Sequence, residues 1–481
     1  MRIPFRQWRN QGIIRRGLYW SILEGAVVGT MFVCLEAWLV PLLQGRLHAS
    51  TWIIGFVSLI PQIGVIGLSP MTGRIVAALG GPKRACILSA SWQIALIALL
   101  SIPLHAAGTT WAVPVAVVLI CLFGLTGIVN GPAWVAWMGA LLPPSISGRY
   151  QANRARIFHV MKLIFAGVFA MTIKCLPVEL GPWGLQIVLL VAVISRLLSV
   201  RCLQLQPDPP PRLRLKNQPP SIRSLEAAVG MWGFIRTIQR TDIGRWTLAW
   251  AVFQGGCAVV GPFFASYMVS AKEDGGLALD PWSYSLLLYT SAISRIVFLP
   301  FVGRLVDLYK PRSSLRFSFI LILFIPVTWA VTDSIPLLVI NEILSGFAWA
   351  IAECAIGSLL FACHGDPARR AELIGYFNTV TAVMIAIGII LSTSFIGVFT
   401  EYVRNPTVRD FLPVYLRNPF HMVMLLSVAL RIPGLILALR WLPRLRPLTD
   451  SERGSLFSAM PGAAVAGGLG KGLKLFRLPL G

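Results

Sequence analysis

Two stretches decide the fold: "SPMTGRIVAALGGPKR", residues 69–84, and "LPFVGRLVDLYKPRSS", residues 299–314. They lie 230 residues apart and share a frame, with Pro70, Gly73, Arg74 and Val76 falling on Pro300, Gly303, Arg304 and Val306. The same offset puts Trp20, Glu24 and Gly25 on Trp250, Gln254 and Gly255, and Trp52 on Trp282. Further along the offset shortens. "LTGIVNGPAW" (125–134) meets "LSGFAWAIAE" (344–353), and Arg196 in "ISRLLS" resembles Arg431 in "ALRIPG". A match that persists across several segments marks an internal repeat.

The repeated segments are apolar. The 481 residues are 56% hydrophobic and only 13% charged, against about 25% charged in soluble domains; mean hydropathy is +0.73. Runs of this length cross a bilayer as helices, which satisfy their own backbone hydrogen bonds where lipid cannot. They do not alternate as the strands of a membrane barrel would. We place twelve spans at roughly 18–43, 51–70, 86–106, 111–140, 155–177, 182–203, 245–270, 282–303, 316–332, 335–362, 373–399 and 421–443. The expected fold is therefore an all-α membrane protein of twelve transmembrane helices in two parallel six-helix repeats. Parallel repeats with a site between them are a transporter plan.

Charge orients the chain. The formal net charge is +23, but the basic residues sit between apolar runs rather than along a soluble stripe. Loops obeying the positive-inside rule explain them, and a nucleic-acid partner is not expected. Most Lys and Arg fall on one side when both termini are cytoplasmic. The eight Cys are scattered without a CxxC pair, which argues against a disulfide framework or a metal site. The basic start leads into a run too long for a cleavable signal peptide.

The expected organisation is a cytoplasmic segment at 1–17, a six-helix bundle at 18–203, a cytoplasmic linker at 204–244, a second bundle at 245–443 and a cytoplasmic tail at 444–481. "QPDPPPRLRLKNQPPSIRS" in the linker is too rich in Pro to pack. "LEAAVGMWGFIRTIQ" after it has helical apolar spacing, suiting the inner membrane surface or the bundle equally.

At the two opening stretches the chain resembles the major facilitator superfamily, and the resemblance extends over residues 18–443. The family pattern there is a Gly, an acidic residue four on, then a Gly and a basic cluster. The first copy offers Gly73, Gly80, Lys83 and Arg84 but has Ala77 at the acidic position. The second offers Gly303, Asp307 and Arg312 but has Lys310 where Gly80 sits. "GPAWVAWMGALLPPSISGRYQANRARIF" also resembles a bacterial subgroup with a W…P…GR(Y/F)…RN-like stretch after span four, which names no substrate. The resemblance implies that these loops latch the halves together, with Gly73, Arg74, Gly303, Arg304 and Asp307 as gating residues. Asp307 could cap a helix or pair with Arg304 or Arg312. It also implies that spans one and seven line the central path, that spans one and five touch, and that spans eight and ten touch.

Charges inside spans normally face an interior and pair or act there. At 1.5 Å per residue, Glu24 lies roughly 9 Å and Lys162 roughly 10 Å from the inner ends of spans one and five. Arg295 and Glu353 each lie roughly 12 to 14 Å from the inner ends of spans eight and ten. Two pairs are expected: Glu24 with Lys162, and Arg295 with Glu353. Glu24 is also the candidate for binding and releasing a coupling proton, while its counterpart Gln254 cannot titrate. Arg196 and Arg431 are expected to snorkel to the headgroups. Asn130, Gln62, Tyr289 and Asn378 are candidate cavity hydrogen-bonders or helix contacts. Trp134 and Trp137 are expected in the aromatic belt. "GGCAVVGPFF", 255–264, has Gly and Pro where a span can bend.

These features point to a secondary transporter of the cytoplasmic (inner) membrane. It would move a small organic solute by alternating access, coupled to protons, as a monomer bounded by membrane lipid, with no cofactor. No GxxxxGK[ST] loop suggests ATP use. Span five, "ARIFHVMKLIFAGVFAMTIKCLP", lacks the Gly-Pro motif of the family's drug antiporters. Drug or metabolite efflux, and a non-transporting receptor of the same fold, stand as alternatives. An enzyme is not expected, because no metal-ligand cluster, catalytic carboxylate pair or nucleophile motif is present.

Overall fold

The computed structural model describes residues 5–36, 47, 63–175, 181–209, 230–261, 263–272, 275–404, 418–445, 449, 452 and 456. All regular secondary structure among the described residues is helical, without a strand. The main helices are α1 (Phe5–Glu36), α2 (Ile63–Ala78), α3 (Pro82–His105, with a break at Leu100), α4 (Ala112–Leu141), α5 (Ser147–Cys175), α6 (Gly181–Leu205) and α7 (Gly230–Thr237). They continue as α8 (Asp242–Ala258), α9 (Phe263–Val269), α10 (Pro281–Tyr309), α11 (Pro311–Val331), α12 (Ile335–Phe361), α13 (Pro367–Arg404) and α14 (Pro419–Trp441). Among the described residues nine helices are long and apolar enough to cross a membrane. Span two lies partly outside the described residues, with Trp52 and Gln62. So do much of the linker and almost all of the tail.

Local chemistry sets the ends. Asp280 and Asn418 cap α10 and α14 by accepting from backbone N–H groups at Trp282, Ser283 and Phe420, and a Pro follows each cap, as helix starts favour. Span seven is not one helix. It breaks at Val259–Gly261, inside "GGCAVVGPFF", leaving α8 and α9. Helix α7 buries Phe234 and leaves Trp232 exposed.

The chain divides into two compact units. One holds residues up to Ile222 together with Leu360–Tyr376, and the other holds Arg223–Leu359 with Phe377–Leu475. In the first, α6 packs on α1 and α3. In the second, α14 packs on α8 and α11. First-on-sixth and third-on-sixth packing therefore recurs, as the repeat requires. The first unit's cores lie around Trp137, Met138 and Tyr150, and around Met31, Ile97 and Phe169.

Candidate functional site

Glu24 sits on α1, four-fifths of the way from Phe5 to Gly29, where the helix meets α5. Gly25 and Gly29 allow that approach: an added Cβ would lie 3.1 Å from Arg154 Cγ at Gly25 and 2.9 Å from the Phe158 carbonyl at Gly29. The Glu24 carboxylate is 4% exposed. It accepts from Arg154 Nη2 over 2.8 Å and from the Ser199 hydroxyl over 3.1 Å, and Arg196 Nη1 lies 3.9 Å away. Arg196 in turn donates to Ser199 over 3.0 Å. The Arg154 guanidinium lies over the Trp134 ring, 3.9 Å from its centroid, a cation–π contact. One carboxylate thus ties α1, α5 and α6, and two guanidinium groups share it.

This geometry corrects several expectations. Glu24 pairs with Arg154 and Arg196, not with Lys162, whose ammonium lies 5.6 Å from the Phe158 ring centroid. Arg196 and Arg431 do not snorkel, being 3% and 4% exposed inside their own units. Trp134 and Trp137 are buried too, so neither forms part of an aromatic belt. Asn130 makes a helix–helix contact, donating to the Cys86 carbonyl and the Ser89 hydroxyl on α3.

The second repeat carries the same frame without the charge. Gln254 and Met384 stand 230 residues after Glu24 and Arg154. Gly255 approaches α13 where Gly25 approaches α5, with an added Cβ 2.8 Å from the Met384 carbonyl. Carboxylate and guanidinium are therefore replaced together. Arg431 remains, and its Nη1 donates to the Ile322 carbonyl over 2.8 Å. Gln254 is half-buried.

The structure brings Arg295 of α10 and Glu353 of α12 to 3.8 Å, each about one-third exposed at 28% and 31%.

The gating candidates lie in two places. Gly73 is buried, and a Cβ there would sit 2.4 Å from Glu372 Cβ at the start of α13. Arg74 is exposed. Glu372 accepts from Arg369 and Tyr376. The carboxylate beside the turn thus comes from Glu372, not from position 77. Arg370, 2% exposed, donates to the Ala136 carbonyl over 2.7 Å. Gly303, Arg304 and Asp307 all lie in the last turns of α10. Arg312, one of the two partners expected for Asp307, pairs with Asp242 at 3.2 Å.

Residue-level reasoning missed Arg154, Ser199, Arg370 and Glu372. Arg154 stood in the quoted "NRAR" but was placed in a loop, one residue before span five.

Comparison with known proteins supports the fold. The Major Facilitator Superfamily model matches residues 164–389. No curated protein matches the chain in sequence. Among solved structures, the chain is similar to a proton:xylose symporter, XylE, at 13% identity and a TM-score of 0.65, covering 93% of this chain and 99% of that one. It is also similar to a bacterial homologue of the iron transporter ferroportin in an outward-facing state, at 15% identity and 0.61, covering 89% and 99%. A third is the E. coli fucose:proton symporter FucP, at 13% and 0.61, covering 87% and 99%. At these identities the likeness is one of fold.

Proposed function

We propose that this chain, which the Major Facilitator Superfamily model matches over residues 164–389, moves a small organic solute across the cytoplasmic membrane by alternating access, coupled to protons. The observation that carries this reading is the set of charged side chains inside apolar spans of both units: Glu24, Arg154 and Arg196 in one, Arg295 and Glu353 in the other. Charges in spans persist where they pair or act. Glu24 is read as a tie between helices, given its two guanidinium partners. Arg295 and Glu353, only partly buried, are read as the pair that meets a polar solute. Lys162 and Gln254 are read as candidate solute contacts, each within its own unit. The Gly73 and Gly303 turns, with Arg74, Arg304 and Asp307, are read as the moving parts, and the break between α8 and α9 as a bend. Both termini are cytoplasmic in this reading, and the monomer, in lipid, is the working unit.

The test is a thermal-stability screen of the purified protein against metabolites and drug-like cations, followed by uptake of each hit into proteoliposomes with and without a pH gradient. Ligands of the folded state raise its melting temperature. A hit that accumulates only with the gradient is the expected result. Hits that bind equally to empty and energised vesicles without accumulating would overturn transport.

A further inference from the structure

A groove runs along the surface of the first unit where α2, α3 and α4 meet. Ile75 of α2 and Leu79 just after it form one wall, Leu88 and Trp92 of α3 the second, and Leu122 and Leu125 of α4 the third, around about 390 Å³. Its surface is wholly apolar. The two hydroxyl groups beside it are committed inside the protein: Ser89 donates to the Ala85 carbonyl over 2.7 Å and Thr126 to the Phe123 carbonyl over 2.7 Å. Trp92 is 58% exposed. It lies roughly 12 Å along α3 from Arg84, deeper than the headgroup level at which belt tryptophans sit. A large exposed aromatic side chain at that depth faces hydrocarbon, not water.

At one end the groove gives way to a second cavity of about 640 Å³, lined by Gly80–Arg84, Ile87, Asp208 and Asp366–Ala368. The two meet where Leu79 is followed by Gly80 and Ile87 by Leu88. This cavity is charged. Lys83 is spent on Asp208 at 3.9 Å and on the Gln206 carbonyl at 2.7 Å. Asp366 accepts from the Arg369 backbone N–H over 2.7 Å at the start of α13. Arg84 is exposed and has no carboxylate at ion-pair distance among the described residues. Its guanidinium arches back over Gly80, where a Cβ would lie 3.0 Å from Nη1. Arg84, Leu88 and Trp92 follow one another at intervals of four along α3, on one face of the helix, so the cation and the apolar wall form one continuous surface. In the second unit α11 opens on Pro311 as α3 opens on Pro82. There Ser313 stands where Arg84 does, buried, with its hydroxyl on the Arg444 carbonyl. The exposed cation therefore belongs to the first unit and not to the repeat.

A ligand that complements this surface carries hydrocarbon at one end and an anion at the other. We propose that the groove binds one anionic phospholipid, with an acyl chain against Leu88 and Trp92 and the phosphate on Arg84. Helices α3 and α4 are long and apolar enough to cross the bilayer, so the groove is open to acyl chains, and Arg84 stands at the end of α3 where headgroups begin. Both cavities fall in the range of about 300–1,000 Å³ in which small molecules are held. A guanidinium grips a phosphate through two parallel N–H donors. Basic pockets between transmembrane helices on the cytoplasmic side take anionic headgroups, and the positive-inside rule puts this end of α3 there. A water-soluble solute does not suit the groove, whose walls offer it no hydrogen bond. The proposal is independent of the transport reading, since it needs no solute to be moved.

The experiment places the purified full chain in phosphatidylcholine vesicles doped with a phosphatidylglycerol whose acyl chain carries a photoactivatable diazirine. After illumination the labelled peptides are mapped by mass spectrometry. Label should concentrate on residues 75–92 and 122–125, and unlabelled phosphatidylglycerol should compete it away. A phosphatidylcholine carrying the same diazirine should label the groove no more than the other spans. Arg84→Gln should lower the phosphatidylglycerol label about fivefold, the size of one cation's attraction for an anionic headgroup. Arg240→Gln, which removes an exposed cation elsewhere, should leave it unchanged. Leu122→Trp, which fills the groove and keeps the charge, should lower it as well, and decides alone if Arg84→Gln does not fold. Label spread evenly over the spans, equal labelling by the two lipids, or a groove label that either Arg84→Gln or Leu122→Trp leaves unchanged overturns the proposal. So does displacement of the lipid by glycerol phosphate, which would make the site one for a free organic phosphate, or a contact between two copies of the chain that shields the groove from both lipids.

Discussion

At Glu24 the chain binds a carboxylate to two guanidinium groups, and the cost of breaking that cluster can be argued. Removing one partner of a buried pair leaves the other charge without compensation, typically a loss on the order of 3 kcal/mol. Glu24→Gln and Arg154→Met should each lower the melting temperature in detergent. The double variant should lose less than the sum, because Met384 and Gln254 already fill the equivalent positions in the second repeat. The same cycle with Lys162→Met should show no coupling, and a coupling as large as that with Arg154 would sink the assignment. The error in the sequence reading has a physical source. Depth along a span was measured from where the apolar run begins, but α5 begins at Ser147. Arg154 is thus two turns inside a helix, where it meets Glu24. Hydropathy marks where lipid begins, not where a helix begins, and it says nothing of which way a side chain turns. His364, between α12 and α13, makes a second argument at this scale. Burial, above all, pushes its imidazole below the usual 6.5, and its Nδ1 accepts from the Asp366 backbone N–H over 3.0 Å. The fold therefore favours the neutral ring. Between the folded and unfolded values the unfolded chain binds more protons, so this contribution is complete above about 6.5 and lost as pH falls through it. His364→Asn keeps an acceptor and cannot titrate. Its melting temperature should fall less than that of wild type from neutral to mildly acidic pH, and an equal fall would contradict the argument.

At the scale of elements, the repeat was legible because backbone needs recur with the packing. Gly80 and Gly81 take φ of 81° and 115° before Pro82 opens α3. Lys310 takes φ 70° and ψ 148° before Pro311 opens α11. That region is nearly confined to glycine, and a residue with a Cβ there stores of order 1–3 kcal/mol of strain. The family pattern, with its second Gly replaced by Lys310, was visible in the sequence. What replacement required of the backbone was not. Lys310→Gly should raise stability by about 1 kcal/mol after the greater freedom of glycine in the unfolded chain is set against the relief. A melting temperature that falls on this substitution would show that the Lys310 side chain contributes more than its backbone costs. The break of span seven was legible as well, since Gly and Pro cluster there. The extension of α1 back to Phe5 was not, because its basic first turns read as a loop.

At the scale of the whole molecule, the signals that sequence carries well are those averaged over many residues. Composition gave the membrane, and the 230-residue offset gave the two repeats. Single partners, such as Glu372 beside Gly73, escape because they join residues hundreds of positions apart. Orientation belongs to the averaged kind, and it can be tested by labelling. Basic residues cross an energised membrane poorly, so loops rich in Lys and Arg stay cytoplasmic. Thr109 lies exposed between α3 and α4, in a connection without Lys or Arg, and Arg240 lies exposed between α7 and α8, flanked by Arg236 and Arg245. The positive-inside rule puts the first outside and the second inside. With the eight native Cys replaced, Thr109→Cys should react with a membrane-impermeant maleimide added to intact cells. Arg240→Cys should react only after permeabilisation. The reverse pattern would invert the whole chain, placing most of its 42 Lys and Arg outside and, with them, the Gly73 and Gly303 turns that the transport reading assigns to the cytoplasmic face. Labelling of both sites in intact cells would instead mean that the two connections lie on one side, which an even number of spans between them would require and the repeat of six does not allow.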